Sequence, residues 1–300
     1  MSLSTTRTGF RTTSSSRLNW DSPPLRLWRK AKQLGIWDPA DIDFEQDCRD
    51  WDGFDATERD IILRLTSMFQ AGEEAVTLDL LPLIETIASE GRLEEEIYLT
   101  SFLWEEAKHV EGFQRFLGEV ARVDGDLSQY HTPSYRQMFY EELPKSLSNL
   151  REDRSPVAQA EASVTYNLIV EGVLAESGYH AYYEALRAQQ MLPGMQTMVG
   201  HLKRDESRHL AYGVYLLSRL VAEHGDEVWQ TIERRMNELL PIALGMIAEL
   251  FAEYEVPPFG LEHDHFAEYA TVQFQNRFAR IERSRNQTLE ELQAERVEDE

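Results

Sequence analysis

Apolar residues in this chain recur three and four positions apart, over stretches too long to be strands. The spacing predicts long helices over about 55–89, 93–123, 156–190, 195–223, 226–254 and 265–283. Asp55-Ala56-Thr57-Glu58 opens the first as an N-cap with Glu at the third helical position. Gly91, Pro193-Gly194 and Gly225 stand where helices should end. The leading segment from Trp28 to Asp55, with Pro39 and several Asp, reads as irregular. The stretch 124–156 reads as a connection with a helical piece near Ser134 to Leu143. No strand alternation and no glycine-rich nucleotide loop is present, so the sequence reads as all-α. Short links join the first helix to the second and the third to the fourth, and a long connection joins the pairs. That is a ferritin-like four-helix bundle with additional helices. A helical domain at 20–283 is expected between an N-terminal tail, 1–19, and an acidic tail, 284–300.

Composition narrows the partners. Of 300 residues 42% are hydrophobic, enough for a sizeable core. The net charge of −23 repels nucleic acid and anionic membrane surfaces. The one cysteine, Cys48, can form no internal disulfide, which suits a reducing, cytoplasmic setting. No apolar run approaches the roughly 20 residues of a membrane span. Arg7, Arg11 and Arg17, with many Ser and Thr and no acid, give the first residues a transit-peptide composition. They lack its amphipathic period and read instead as a disordered tail.

The candidate chemistry lies in two Glu-x-x-His steps, Glu106/His109 and Glu206/His209. Residues three apart share a helix face, so each pair can address one metal ion. The spacing alone is weak in a glutamate-rich sequence. A third copy, Glu262/His265, follows the turn Pro257-Pro258-Phe259-Gly260 and is assigned to solvent. Context separates the first two. Glu106 shares its face with Phe102, Leu103, Val110 and Phe113, and Glu206 with Leu202, Leu210 and Gly213. A carboxylate on an apolar face is costly unless paired or metal-bound. Glu73, among Ile62, Leu65, Phe69, Val76 and Leu80, also faces inward, whereas Glu74 does not. Glu171 faces inward among Val164, Leu168, Leu174 and Ala175, with Glu161 and Glu176 as weaker candidates. One Glu from each of two helices plus Glu-x-x-His from two others is the known ligand set of dinuclear carboxylate bundles. Oxygen-rich ligation with two imidazoles suits iron or manganese. Asp205 is placed to accept from a ligand imidazole N–H, and Tyr179 lies within reach of the site.

At these residues the sequence resembles the ribonucleotide reductase small-subunit superfamily. The segment Trp37-Asp38-Pro39-Ala40-Asp41-Ile42-Asp43 and both Glu-x-x-His helices carry the likeness, over about residues 20–280. Within it, Ala71-Gly72-Glu73-Glu74-Ala75-Val76-Thr77-Leu78-Asp79 and Tyr166-Asn167-Leu168-Ile169-Val170-Glu171-Gly172 are similar to motifs of the ligand-binding oxidases of the R-two-like type. The resemblance implies a Mn/Fe centre, or alternatively two Fe, on Glu73, Glu106, His109, Glu171, Glu206 and His209. It implies O2 activation, an ether cross-link between Val76 and Tyr166, a long-chain fatty-acid-like ligand, and a homodimer. From the residues alone, Val76 is core packing and Tyr166 a buried aromatic. Gly172, Ala175 and Gly178 would leave room for such a ligand, or equally permit close helix packing.

Two other readings compete. A radical-generating reductase subunit would share the metal site and could use Trp37 and Asp205 as the start of an electron path to His109. It would also need a redox-active residue in the C-terminal tail, and no Tyr or Trp follows Tyr269. A non-enzymatic, ferritin-like iron-binding protein would need neither the leading segment nor the extra helices.

Overall fold

The computed structural model describes residues 9–15, 17–123 and 125–294. Among them there is no strand, and the all-α expectation holds. The helices are α1 (Pro23–Leu34), α2 (Glu45–Gly53), α3 (Ala56–Ser89), α4 (Leu93–Arg115), α5 (Pro133–Arg136), α6 (Leu143–Asn149), α7 (Pro156–Ser163), α8 (Glu176–Gln189), α9 (Pro193–His224), α10 (Asp226–Phe251), α11 (His263–Arg283) and α12 (Leu289–Ala294). The bundle consists of the α3–α4 hairpin and a second hairpin, in which α7 and α8 form one continuous rod turned back through α9.

Local chemistry sets the ends of these helices. Asp55 accepts from the backbone N–H of Thr57 and Glu58, and Glu58 accepts from the N–H of Asp55 at 2.9 Å. This reciprocal cap satisfies donors that the first turn leaves free. Gly91, at φ +73°, makes the turn into α4.

The second rod is not a uniform α-helix. Between α7 and α8 the backbone opens into wide π turns over Val164–Ala175, the stretch that carries Glu171. Every side chain from Val164 to Val173 there is buried. An apolar run enclosed on all sides has no solvent face to impose a 3.6 period. Neighbouring helices, α9, α10 and α11, pack against it and decide its path instead.

Two parts of the protein are more helical than the sequence suggests. The segment read as irregular contains the second half of α1, which begins ahead of it, and all of α2. Pro23-Pro24 looks like a breaker but occupies the first turn of α1, where proline fits. The acids of α2 serve α9. Asp47 accepts from the backbone N–H of Gly194 and Met195 at 2.8 Å each, and Asp50 from that of Leu192 at 2.8 Å. An N-cap supplied from 140 residues away in sequence leaves no local signature. The long connection is also helical beyond the expected piece, from α5 through wide turns at Gln137–Glu142 into α6.

The expected tails lie partly outside the described residues, namely 1–8, 16 and 295–300. Elsewhere they are ordered by contacts. Arg11 donates to Glu94 at 2.7 Å, and α12 packs on α9 with Leu292 buried.

One close approach matters for the site. A Cβ at Gly213 would overlap the side chain of Asn167, so α9 lies directly against the π segment. Asn167 accepts from Ser163 Oγ at 2.9 Å and donates to Glu171 Oε2 at 3.1 Å. Gly213→Ala should therefore destabilise the fold by about 1–3 kcal/mol, read as a lower denaturation midpoint. An unchanged midpoint would contradict this packing.

Candidate metal centre

The structure brings all the expected ligand residues together in the middle of the bundle. α3 supplies Glu73, α4 supplies Glu106 and His109, the π segment supplies Glu171, and α9 supplies Glu206 and His209. They form two groups: Glu73, Glu106, His109 and Glu206, and Glu106, Glu171, Glu206 and His209. Within each, the candidate ligand atoms lie within 4.8 Å of one another. Both groups share Glu106 and Glu206.

The shared carboxylates each reach both imidazoles. Glu106 Oε2 lies 3.4 Å from His109 Nδ1, and its Oε1 lies 3.1 Å from His209 Nδ1. Glu206 Oε1 lies 3.4 Å from His109 Nδ1, and its Oε2 lies 3.4 Å from His209 Nδ1. Glu73 Oε2, at 3.3 Å, closes the His109 side.

The outward ring nitrogens are held crosswise. His109 Nε2 faces Asp205 Oδ2 at 3.4 Å, and His209 Nε2 faces Glu105 Oε2 at 2.9 Å. Arg208 bridges the two holders, donating to Glu105 at 2.6 Å and also to Asp205. Trp37 Nε1–H donates to Asp205 Oδ2 at 2.8 Å, and Lys108 donates to the same oxygen at 3.1 Å. Phe102 stacks on His209 with ring centroids 3.7 Å apart. Tyr179 donates to Glu73, and Tyr166 donates to Glu106 Oε1 at 3.3 Å.

Electrostatics define what this cluster lacks. Burial pushes the Glu73 carboxyl up to about 8, against the pull of His109. Burial, reinforced by the charge of Glu206, holds Glu171 well above the usual carboxylate range. Burial also opposes ionisation of Glu106, but hydrogen bonding to His109 and the charge of His209 outweigh it and hold Glu106 low. Both imidazoles are drawn well above their ordinary value, because the carboxylates outweigh burial. Four buried carboxylates this close require positive charge among them. Glu106 Oε2, Glu171 Oε1, Glu206 Oε2 and His209 Nδ1 have no hydrogen-bond partner. Inward donor atoms without partners, on an oxygen-rich set with two imidazoles, fit two divalent transition-metal ions.

Known proteins show the same plan. The family model described as "Ribonucleotide reductase, small chain" matches residues 21–283. The structure is similar to that of an R2-like ligand-binding oxidase from Sulfolobus acidocaldarius. Identity is 38% over 95% of this chain and 98% of that one, with TM-score 0.87. A valine-to-leucine variant of an R2-like ligand-binding oxidase, with anaerobically reconstituted Mn/Fe cofactor, matches at 38% identity over 92% of this chain and 98% of its own, with TM-score 0.86. A tyrosine-to-phenylalanine variant with aerobically reconstituted Mn/Fe cofactor matches with the same figures. The protein belongs to the ribonucleotide reductase small-chain family. Within it, it is one of the R2-like ligand-binding oxidases, oxidoreductases with a dinuclear metal site.

In this oxidase the carboxylates of the cluster line a cavity whose other walls are mostly apolar. Glu73, Glu106, Glu171 and Glu206 are those carboxylates. Phe69, Val76, Leu174, Ile247 and Phe251 are among the apolar walls. The small residues divide. Ala175 and Gly178 line the cavity, while a Cβ at Gly172 would press on Leu210 at 3.0 Å, so Gly172 serves close packing. Glu262 and His265 lie exposed at the start of α11, where His265 faces His180 at 3.1 Å. Glu161 pairs with Arg234, and Glu176 with Arg277 and Tyr269.

Sequence reading missed Glu105 and Arg208. The signal was present for Glu105, since an acid precedes the ligand glutamate in both Glu105-Glu106-x-x-His109 and Asp205-Glu206-x-x-His209. Its crosswise action could not be read, because it depends on how α4 meets α9.

Two outcomes are expected. Metal ions need the carboxylate forms of Glu73, which burial raises to about 8 in the metal-free protein, and of Glu171, which burial also holds well above the usual carboxylate range. Metal binding should therefore release protons at pH 7 and tighten as the pH rises toward 8. Calorimetry in buffers of differing ionisation enthalpy measures that release, and no release would contradict the assignment. Glu105→Ala should weaken metal affinity about 10–100-fold by freeing the His209 ring. Undiminished affinity in a metal-competition titration would rule that role out.

Proposed function

We propose that this oxidase holds one manganese and one iron ion between its two imidazoles, two irons being the alternative loading. It activates O2 for two-electron oxidation of C–H bonds. The ligand geometry, two groups sharing Glu106 and Glu206 and lining a largely apolar cavity, carries this reading. Bound there, the metals supply the oxidising power and the Lewis acidity for O2.

The protein's own residues position and protect that chemistry. Glu106 and Glu206, common to both groups, would serve both ions, while Glu73 and Glu171 would each serve one. Tyr179 donates to Glu73 and Asn167 to Glu171, which holds those carboxylates in place. Asp205 and Glu105 hold the Nε2 protons, so both Nδ1 atoms present lone pairs to the metals. The apolar wall keeps bulk water from the oxidant.

Val76 lies one helical turn beyond Glu73, is 4% exposed and lines the cavity. Burial holds the Tyr166 phenol well above its ordinary value, with the charge of Glu106 adding to it, so Tyr166 enters the reaction protonated. In the cross-link, one isopropyl C–H of Val76 and the Tyr166 O–H each lose hydrogen and a C–O ether bond forms. The two electrons and two protons released reduce O2 to the level of hydrogen peroxide, and the Tyr166 hydroxyl is oriented by its hydrogen bond to Glu106. The cavity takes a long-chain, fatty-acid-like ligand, its carboxylate at the metal end and its hydrocarbon along the apolar walls.

The enzyme works as a cytoplasmic homodimer fed by an external electron donor, a reading supported by its family. No helix among the described residues is long and apolar enough to cross a membrane. The hydrogen-bonded string Trp37–Asp205–His109 favours one second reading, a radical-generating subunit.

Apo protein loaded with Mn(II) and Fe(II) in air and digested with trypsin should yield peptide 65–92 joined to peptide 155–187, two hydrogens lighter than their sum. Fragment ions should place the bond at Val76 and Tyr166. Separate, unmodified peptides from fully metallated protein, with a stable tyrosyl radical by electron paramagnetic resonance, would favour the radical-generating reading.

A further inference from the structure

Besides the carboxylates, two polar side chains among the described residues line the cavity, Tyr135 and Ser177. The Tyr135 hydroxyl donates to the Met68 carbonyl at 2.7 Å. Ser177 has no such outlet. It is 4% exposed, and its Oγ has no hydrogen-bond partner. A helical serine can return its hydroxyl to the carbonyl one turn back, and Ser177 does not. A buried hydroxyl without a partner is costly, and Ser177 is one of the residues lining the cavity proposed above to hold a ligand. Phe69, seated against Gly178, walls the cavity beside it. Ser177 stands six residues beyond Glu171, no more than roughly 9 Å along the helix.

We infer that the acid occupying this cavity carries a hydrogen-bonding oxygen, a hydroxyl or keto group, partway along its length, and that Ser177 receives it. Ser177 is then a specificity-determining residue of the oxidase. The inference rests on the ligand reading given above and adds the substrate class to it: oxygenated long-chain acids rather than plain ones. The hydroxyl both donates and accepts, so it serves either oxygen type. A trapped water could also satisfy Oγ, but it would confer no preference between acids.

The test uses the metal-loaded full-length protein and calorimetric titration with hexadecanoic acid and its monohydroxy isomers, the hydroxyl stepped along the hydrocarbon. One mid-chain isomer should bind the wild type about fivefold more tightly than the plain acid, the worth of one hydrogen bond. Ser177→Ala should erase that preference while keeping or improving affinity for the plain acid. A structural role for Ser177 would shift all the acids together. Equal affinity for every isomer in the wild type, or a preference that survives Ser177→Ala, overturns the inference. Failure of the plain acid and all isomers to bind would instead remove the ligand reading beneath it.

Discussion

Four carboxylates and two imidazoles buried within a few ångströms of one another are the constraint on which this structure depends. Left alone, such a cluster would repel itself and remain partly protonated. Two metal ions resolve the repulsion, and the protein is arranged to place them. Each of four rods delivers ligands from one face, so the bundle cannot shift one helix without breaking a ligand group. The wide turns around Glu171 and the bare face of Gly213 follow from that requirement, since they let a carboxylate from an apolar rod reach the α9 pair.

Around this centre the charge is graded outward. The ligand imidazoles lean on Asp205 and Glu105, and these lean on Arg208 and Lys108. Every member of that outer ring is buried. A network so closed holds its geometry because removing one member strands another charge in a low-dielectric interior. The carboxylates of the centre also line a cavity whose other walls are mostly apolar.

The α3 and α9 helices, and the inward face of Glu73 against the outward face of Glu74, were legible because one side of each helix meets solvent and imprints a period. The π segment was not, because a rod enclosed on every side carries no such contrast. Helix α2 was hidden for a different reason: Asp47 and Asp50 look like loop residues until the N-terminus of α9 is seen above them. The proximity of the six ligand candidates was legible from spacing and apolar context. Pairing each imidazole with an acid from the opposite Glu-x-x-His helix required three dimensions, which is why Asp205 was found and Glu105 was not.

The most direct test of the account is anomalous diffraction at the manganese and iron absorption edges from crystals of the Mn/Fe-loaded protein. The account predicts two separate metal peaks, one bound by His109 and Glu73, the other by His209 and Glu171, with Glu106 and Glu206 touching both. A single peak, or metals bound away from these six residues, would contradict it.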